Sequence, residues 1–288
     1  MPELPEVETV RRGLSKLIIG KTILSEVHDT DKGFPNAAND VKSFMIGAKV
    51  TDVRRRAKVL MIDLSTDYTL LIHLKMTGQL VYVGDTRFGA GHPNDSLVNA
   101  LPDKSTRVTV QFDDSSTLFF NDQRKFGWMR LLPTIEIPNI SFMQKVGPEP
   151  LSTEFTAQDF IQRLARRPKT NIKAAILDQS VVAGIGNIYA DESLWGAKIH
   201  PKRLVASLTE AEMVLLYTEV RAVMNLSIEK GGSSNSTYVN AEGKRGSYMD
   251  FARVFRREGL PCPRCGTTIE KLRVAGRGTH ICPVCQPF

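Results

Sequence analysis

Residues 1–14 read MPELPEVETVRRGL. Two prolines and three glutamates crowd the first ten positions of a chain whose net charge is +7 and whose pI is about 9.2. The stretch has no basic start followed by an apolar run, so it is not expected to be a secretory leader. Its acidic residues favour an early helical turn, because carboxylates suit the positive end of a helix dipole.

The 288 residues give room for two cored domains, and 42% hydrophobic content is ordinary for a globular protein. No apolar run reaches the length needed to span a bilayer, so no membrane is expected. The surplus of 38 Lys and Arg over 31 Asp and Glu points to a polyanionic partner, nucleic acid being the usual one. A bland basic surface gives the same sum.

From about Val50 to Leu132 the pattern is mostly strand. VLMIDL, TLLIHL, RVTVQF and TLFF are short runs separated by turn residues. DLSTDYTL and QFDDSSTLFF read as hairpins, and GDTRFGAGHPNDSLVNALPDKS (84–105) reads as an extended surface loop. Four prolines between Pro133 and Pro150 mark an interdomain linker, set at 135–150. Beyond it the pattern becomes helical. FTAQDFIQRLARRP stops at Pro168, and a helix with Thr209 and Glu212 at capping-box spacing ends at Gly231.

All four cysteines lie beyond Pro261, as C-x2-C-x16-C-x2-C: Cys262, Cys265, Cys282 and Cys285. Such clustering favours a metal in a reducing cytosol over a disulfide framework. Two close pairs of thiolates match tetrahedral zinc, and a closed shell makes the single ion structural. His280 is a substitute ligand near the second pair, though four cysteines already complete the shell. TIEKLRV and THIC read as strands joined by AGRG, with Arg277 at the tip, either a solvated turn residue or a DNA contact. Upstream, VAGIGN (182–187) precedes a helix. Gly184 and Gly186 permit a tight path to its N-terminus, where free N–H groups suit a phosphate. Asn187 adds a donor there and Lys169 adds charge. A glycine-rich turn is equally a plain connector.

MPELPEVETVRRGL, RRRAKVL (54–60), HLKMTGQL (73–80), NDQRKFG (121–127), VAGIGNIYADE (182–192) and the cysteine tail, in this order, strongly resemble the bacterial formamidopyrimidine-DNA glycosylases, from Pro2 to Cys285. The resemblance implies an α+β multidomain protein. It has an N-terminal β-sandwich (1–134), a helix–two-turn–helix domain (151–250) and a C-terminal four-cysteine zinc finger (251–288), with DNA in the cleft between domains. It further implies a monomeric, cytoplasmic, nucleoid-associated bifunctional glycosylase and AP lyase of base-excision repair. Its substrate would be double-stranded DNA carrying oxidised purines (8-oxoguanine, formamidopyrimidines) or abasic sites.

In that light, removal of Met1 would expose the ring amine of Pro2. An α-amino group has a pKa of roughly 7.7–8.0, so much of it is free base at neutral pH. Attack on sugar C1′ would release the base through a Schiff base, and β,δ-elimination would cut the strand. By resemblance Glu3 protonates the ring oxygen, Glu6 is the second acidic site residue, and Lys58 is the active-site lysine that approaches the lesion and the DNA backbone. His73 resembles a phosphate contact; a satisfied strand histidine is the alternative. Arg54, Arg55 and Arg56 read as a solvated or phosphate-facing run. The lesion must leave the helix, and Met76, Arg124 and Phe126 match the family's void-filling residues. The polar stretch 231–248 resembles a lesion-recognition loop, with Tyr238 as its anchor.

The sequence departs from the family pattern at DKSTRVTV (103–110), where a histidine-rich stretch is common, and in ARVFRREG (252–259), where Phe255 and Arg256 stand for Tyr-Gly. These departures bear on DNA affinity and lesion range. Two other readings compete: an endonuclease VIII-like enzyme for oxidised pyrimidines, and a non-catalytic damaged-DNA-binding protein on the same scaffold.

Overall fold

The opening stretch is a helix. α1 (Leu4–Ile18) starts with Pro5 in its first turn, where a missing N–H is tolerated. Val7, Val10 and Leu14, at helical spacing, are buried beneath it. The computed structural model describes residues 1–233 and 248–288, so Tyr238 and most of the 231–248 stretch lie outside the described residues. The chain divides into two units. One is Met1–Gln144 with the described residues of Lys230–Ser247, and the other is Lys145–Glu229 with Tyr248–Phe288.

The first unit continues with β1 (Ile23–His28), a single turn α2 (Ala38–Asp40), β2 (Val50–Arg56), β3 (Val59–Leu64), β4 (Tyr68–His73), β5 (Gly78–Val83), β6 (Arg87–Gly91), β7 (Thr106–Phe112), β8 (Thr117–Asp122), β9 (Trp128–Pro133) and α3 (Ser141–Lys145). The strands form two antiparallel sheets, ordered β1-β7-β8-β5-β6 and β2-β3-β4-β9. Alternation makes this a sandwich. Leu60, Ile62, Leu70 and Ile72 of one sheet share a core with Leu80, Val108, Val110 and Phe120 of the other and with α1. Val59, Met61 and Leu71 point the other way, under Ile137 and Phe142.

The stretch 84–105 is not the plain surface loop its glycines and prolines indicate. It holds β6, paired with β5, and a short 3-10 turn at Asp95–Leu97. Phe88 of β6 is buried and fills the space over Gly13 of α1, where any Cβ would run into its ring. The glycines here permit close packing rather than break the strand.

The second unit holds α4 (Ala157–Ala165), α5 (Ile172–Leu177), α6 (Asn187–Gly196), α7 (Glu210–Glu229) and a hairpin of β10 (Glu270–Val274) and β11 (Arg277–Ile281). Reciprocal capping boxes start α4 (Thr156 with Asp159) and α7 (Thr209 with Glu212). The architecture is mixed α and β: sheets first, then helices, then the four-cysteine hairpin. Among the described residues no helix is long and apolar enough to cross a membrane.

Candidate active site and nucleic-acid interface

In the first unit, Pro2, Glu3 and Glu6 are buried at the start of α1. The Glu3 N–H donates to Glu6 Oε2 at 2.8 Å, closing the first turn. Glu6 Oε1 accepts from the Ser233 N–H, also at 2.8 Å. One carboxylate thus ties the chain's opening to the entrance of the 231–248 stretch. Glu8 serves the scaffold. Burial pushes its pKa up, but hydrogen bonds from Arg11 and Arg12 and the charge of Arg55 outweigh that and bring it down to about 2. Arg55 is half-buried and held by Glu8, whereas Arg54 is exposed and paired with Asp63, so of the two only Arg54 fits the solvated reading of the run.

Lys58, only 6% exposed, sits in the two-residue turn between β2 and β3, where Ala57 has φ 53°. Across the sheet its neighbour Val59 pairs with His73. His73 is buried beside Trp128 and Phe142. Burial lowers its pKa to about 3, aided by the charges of Lys75 and Lys58. The ring is therefore neutral. Because Nδ1 accepts the Lys75 N–H at 3.1 Å, the proton sits on Nε2, a donor suited to an anionic oxygen.

Met76 and the pair Arg124 and Phe126 occupy two neighbouring turns. Gly78 of β5 pairs with Asp122 of β8, and His73 of β4 with Trp128 of β9, so strand register sets the turns side by side. Met76 is 38% and Phe126 47% exposed, unusual for large apolar side chains with a core available. The Arg124 guanidinium lies 4.9 Å over the Phe126 ring.

In the second unit, Lys169 is exposed before α5, and Asn187 is the first residue of α6. Gln179 braces the turn before α6, accepting the Gly184 N–H at 2.9 Å and donating to the Ile185 carbonyl at 2.8 Å. Asn187 Nδ2 donates to the Gly278 carbonyl at 2.9 Å, which brings Asn187 beside Arg277. Arg277 opens β11 next to the turn Ala275–Gly276 and is exposed.

The hairpin is docked on α5 and α6 by groups whose role the sequence reading did not identify. Fully buried Lys173 donates to Asp191 Oδ1 (2.6 Å), Thr279 Oγ1 (2.7 Å) and the Gly278 carbonyl (3.3 Å). Asp191 Oδ2 faces the N–H and Nδ1 of His280 at 2.9 and 3.2 Å. His280 is thereby engaged away from the thiols and is not among the metal-ligating group, so it is no substitute ligand. The one local signal was a lysine inside the apolar run IKAAIL.

The Sγ atoms of Cys262, Cys265, Cys282 and Cys285 all lie within 4.8 Å of one another, and no disulfide joins them. Tetrahedral zinc at its usual Zn–S length needs sulfurs about 3.8 Å apart. The 262–285, 265–282 and 265–285 separations are 3.9, 3.4 and 3.5 Å, so the set fits one ion. Trp195 of α6 packs against Cys262 and Cys282 in the same apolar cluster.

Three family models match the chain: the formamidopyrimidine-DNA glycosylase N-terminal domain over residues 1–129, the formamidopyrimidine-DNA glycosylase H2TH domain over 146–239, and the zinc finger found in FPG and IleRS over 259–287. A formamidopyrimidine-DNA glycosylase of Pediococcus pentosaceus is 43% identical over 286 residues, covering 99% of each chain. One of Streptococcus mutans is 40% identical over 287 residues, again 99% of each. The Lactococcus lactis Fpg in complex with abasic-site DNA superposes with a TM-score of 0.88 at 36% identity, over 99% of this chain and 100% of that one. A wild-type Lactococcus lactis Fpg complex with oxidised-pyrimidine DNA gives 0.86 at 35% identity, covering both chains fully.

Two predictions follow from this geometry. Metal analysis should find one zinc per chain, and Cys282→Ser should lose it. In a Trp128→Phe background, where Trp195 is the remaining indole, chelation should shift the emission; unchanged emission would separate Trp195 from the metal. For His73, the unfolded ring takes up its proton below pH 6.5 but the folded ring only near pH 3. Between those values the unfolded state binds more protons, so stability falls as pH drops through that window. Urea melts at pH 7.5 and pH 5 should show a larger loss for wild type than for His73→Gln. Equal losses would mean that His73 is not held neutral.

Proposed function

Since this chain belongs to the formamidopyrimidine-DNA glycosylase family, we propose that it is a base-excision repair enzyme that removes oxidised purines from double-stranded DNA and then cleaves the abasic strand. The observation that carries the catalytic assignment is the buried start of α1, where Glu3 and Glu6 flank a chain end led by Pro2. Once Met1 is removed, the Pro2 nitrogen attacks C1′ of the extruded nucleotide. The bond from C1′ to the base breaks, the base leaves with a proton, and an iminium remains. Glu3 supplies the proton to the sugar oxygen as the ring opens. Glu6 fixes Glu3 through its backbone bond. The iminium acidifies C2′; loss of that proton expels the 3′ phosphate, and a second elimination expels the 5′ phosphate.

Lys58 and the Nε2–H of His73 meet DNA phosphates near the lesion. Lys169, Asn187 and Arg277 are the second unit's phosphate contacts. A zinc ion in the four-thiolate shell would hold the hairpin that carries Arg277 and keep no position open for water. The work is done by a monomer at the bacterial nucleoid. Domain limits of 1–134, 135–150, 151–250 and 251–288 suit this division of labour. Oxidised pyrimidines are a second substrate class, favoured by the Lactococcus complex with such DNA.

Borohydride should trap a covalent adduct on an 8-oxoguanine duplex, with the attachment mapping to the N-terminal peptide. A form that retains Met1 should not trap, and robust cleavage by that form would remove Pro2 from its role. Arg124 is proposed as the reader of the orphaned base. Cytosine offers two adjacent acceptors, N3 and O2, to the donor fork of arginine, whereas adenine offers one acceptor and one donor. Arg124→Ala should narrow the preference for cytosine over adenine by about fivefold or more, the equivalent of a lost bidentate contact. Met76→Ala should slow both duplexes alike. Single-turnover excision rates decide this, and an unchanged ratio in Arg124→Ala would acquit the arginine.

A further inference from the structure

We infer that Asp122 is a positioning residue that locks the two void-filling turns together, and that with Thr77 it sets how faithfully the opposite base is read. This inference rests on the proposed roles of Met76, Arg124 and Phe126. Asp122 is fully buried at the end of β8, and its carboxylate collects donors from both turns. Oδ1 accepts the Thr77 hydroxyl and the Arg124 N–H, the latter at 3.2 Å. Oδ2 accepts the N–H groups of Phe126 at 2.8 Å and Gly127 at 2.6 Å. The Arg124 N–H is shared with Thr77 Oγ1 at 3.1 Å.

The residue is itself fixed from behind. Its N–H donates to the Ser105 carbonyl at 2.7 Å, and its carbonyl accepts from Nε of the buried Arg107 at 2.8 Å. Gly127 leaves no slack. A Cβ there would press on the Phe120 ring and the His73 carbonyl, and would stand 3.1 Å from Asp122 Oδ2.

The chemistry of the site demands a carboxylate. Four donors converge on two oxygens, and an ionised carboxylate only accepts. An asparagine would turn an NH2 group toward N–H donors. The consequence is a division between side chain and backbone. Met76, Arg124 and Phe126 present exposed side chains, yet the backbone beneath Arg124 and Phe126, and Thr77 beside Met76, are bound to one buried anion. Base readout tolerates only about 0.5 Å of misplacement, so the anchor of the reader matters as much as the reader. Ordering both turns before DNA arrives also lowers the entropy cost of filling the void.

The test compares full-length Asp122→Asn, Thr77→Val and Thr77→Ser with wild type and Arg124→Ala. The first readout is the cytosine-over-adenine ratio of single-turnover 8-oxoguanine excision. The second is borohydride trapping on a single-stranded abasic oligonucleotide, which has no partner base and no void to fill. Asp122→Asn and Thr77→Val should narrow the ratio toward that of Arg124→Ala, about fivefold, while trapping stays at the wild-type level. Thr77→Ser, which keeps the hydroxyl, should keep the ratio. A wild-type ratio in both Asp122→Asn and Thr77→Val, with Arg124→Ala narrowed, would overturn the inference and leave the reader standing. A wild-type ratio in Arg124→Ala would fall on the reader and take this inference with it. Loss of single-stranded trapping in Thr77→Val would also overturn it, assigning the contact to the fold of the catalytic end instead.

Discussion

A carboxylate taken out of water must be met by donors, because an unsatisfied buried charge costs several kcal/mol. Functional loops have the converse problem: their backbone N–H groups have no ladder to join. This protein solves the two together, repeatedly. Glu6 accepts from Glu3 and Ser233, and Asp122 from Arg124, Phe126 and Gly127. Asp191 accepts the His280 N–H, and Glu192 accepts those of Arg253, Val254 and Phe255. Glu6 and Asp122 sit at the ends of regular elements and Asp191 and Glu192 within α6, and Glu6, Asp122 and Glu192 each hold a segment that has no regular structure of its own. The rigid sandwich and helices thereby extend their order into the turns these carboxylates hold.

The same reasoning changes what the positive charge of the chain means. Some of it is internal. Lys173 is buried on Asp191 and Arg107 on Asp29 and the Asp122 carbonyl, while the half-buried Arg203 and Arg55 are paired with Glu212 and Glu8. A net charge of +7 therefore says less about the DNA-facing surface than which cations stay exposed, such as Lys169, Arg124 and Arg277.

Legibility in the sequence followed distance along the chain. The two-residue cysteine spacing, the capping box of Thr209 and the hairpins between β3 and β4 and between β7 and β8 are local, and they could be read directly. The contact of Thr77 with Asp122 spans 45 positions, and that of Lys173 with Thr279 spans 106. No periodicity encodes such pairs. β6 was hidden for another reason: glycine signals a loop in most settings, whereas here Gly89 packs on Leu97 inside a sheet. His73 could be read in either of two ways from sequence, as a phosphate contact or a satisfied strand residue. The structure shows a buried strand residue, in which burial and the Lys75 bond leave a neutral ring with one donor nitrogen.

The departure at Phe255 and Arg256 shows how firmly these anions hold. Arg256 has φ 58°, a left-handed conformation that costs an ordinary side chain roughly 1–2 kcal/mol. The preceding three N–H groups are already committed to Glu192, a fully buried carboxyl whose burial raises its pKa against the pull of those same bonds. The path of the chain into residue 256 is thus set before that residue's identity matters, and the arginine accepts the strained conformation. Phe255 keeps its place by an edge contact with the ring of His280, at 5.0 Å between centroids. His280 in turn is bound to Asp191. The substitution therefore lands on a backbone fixed by Glu192 and a ring fixed through Asp191, both on α6, so α6 carries the geometry and the exposed Arg256 is the altered side chain that changes the surface.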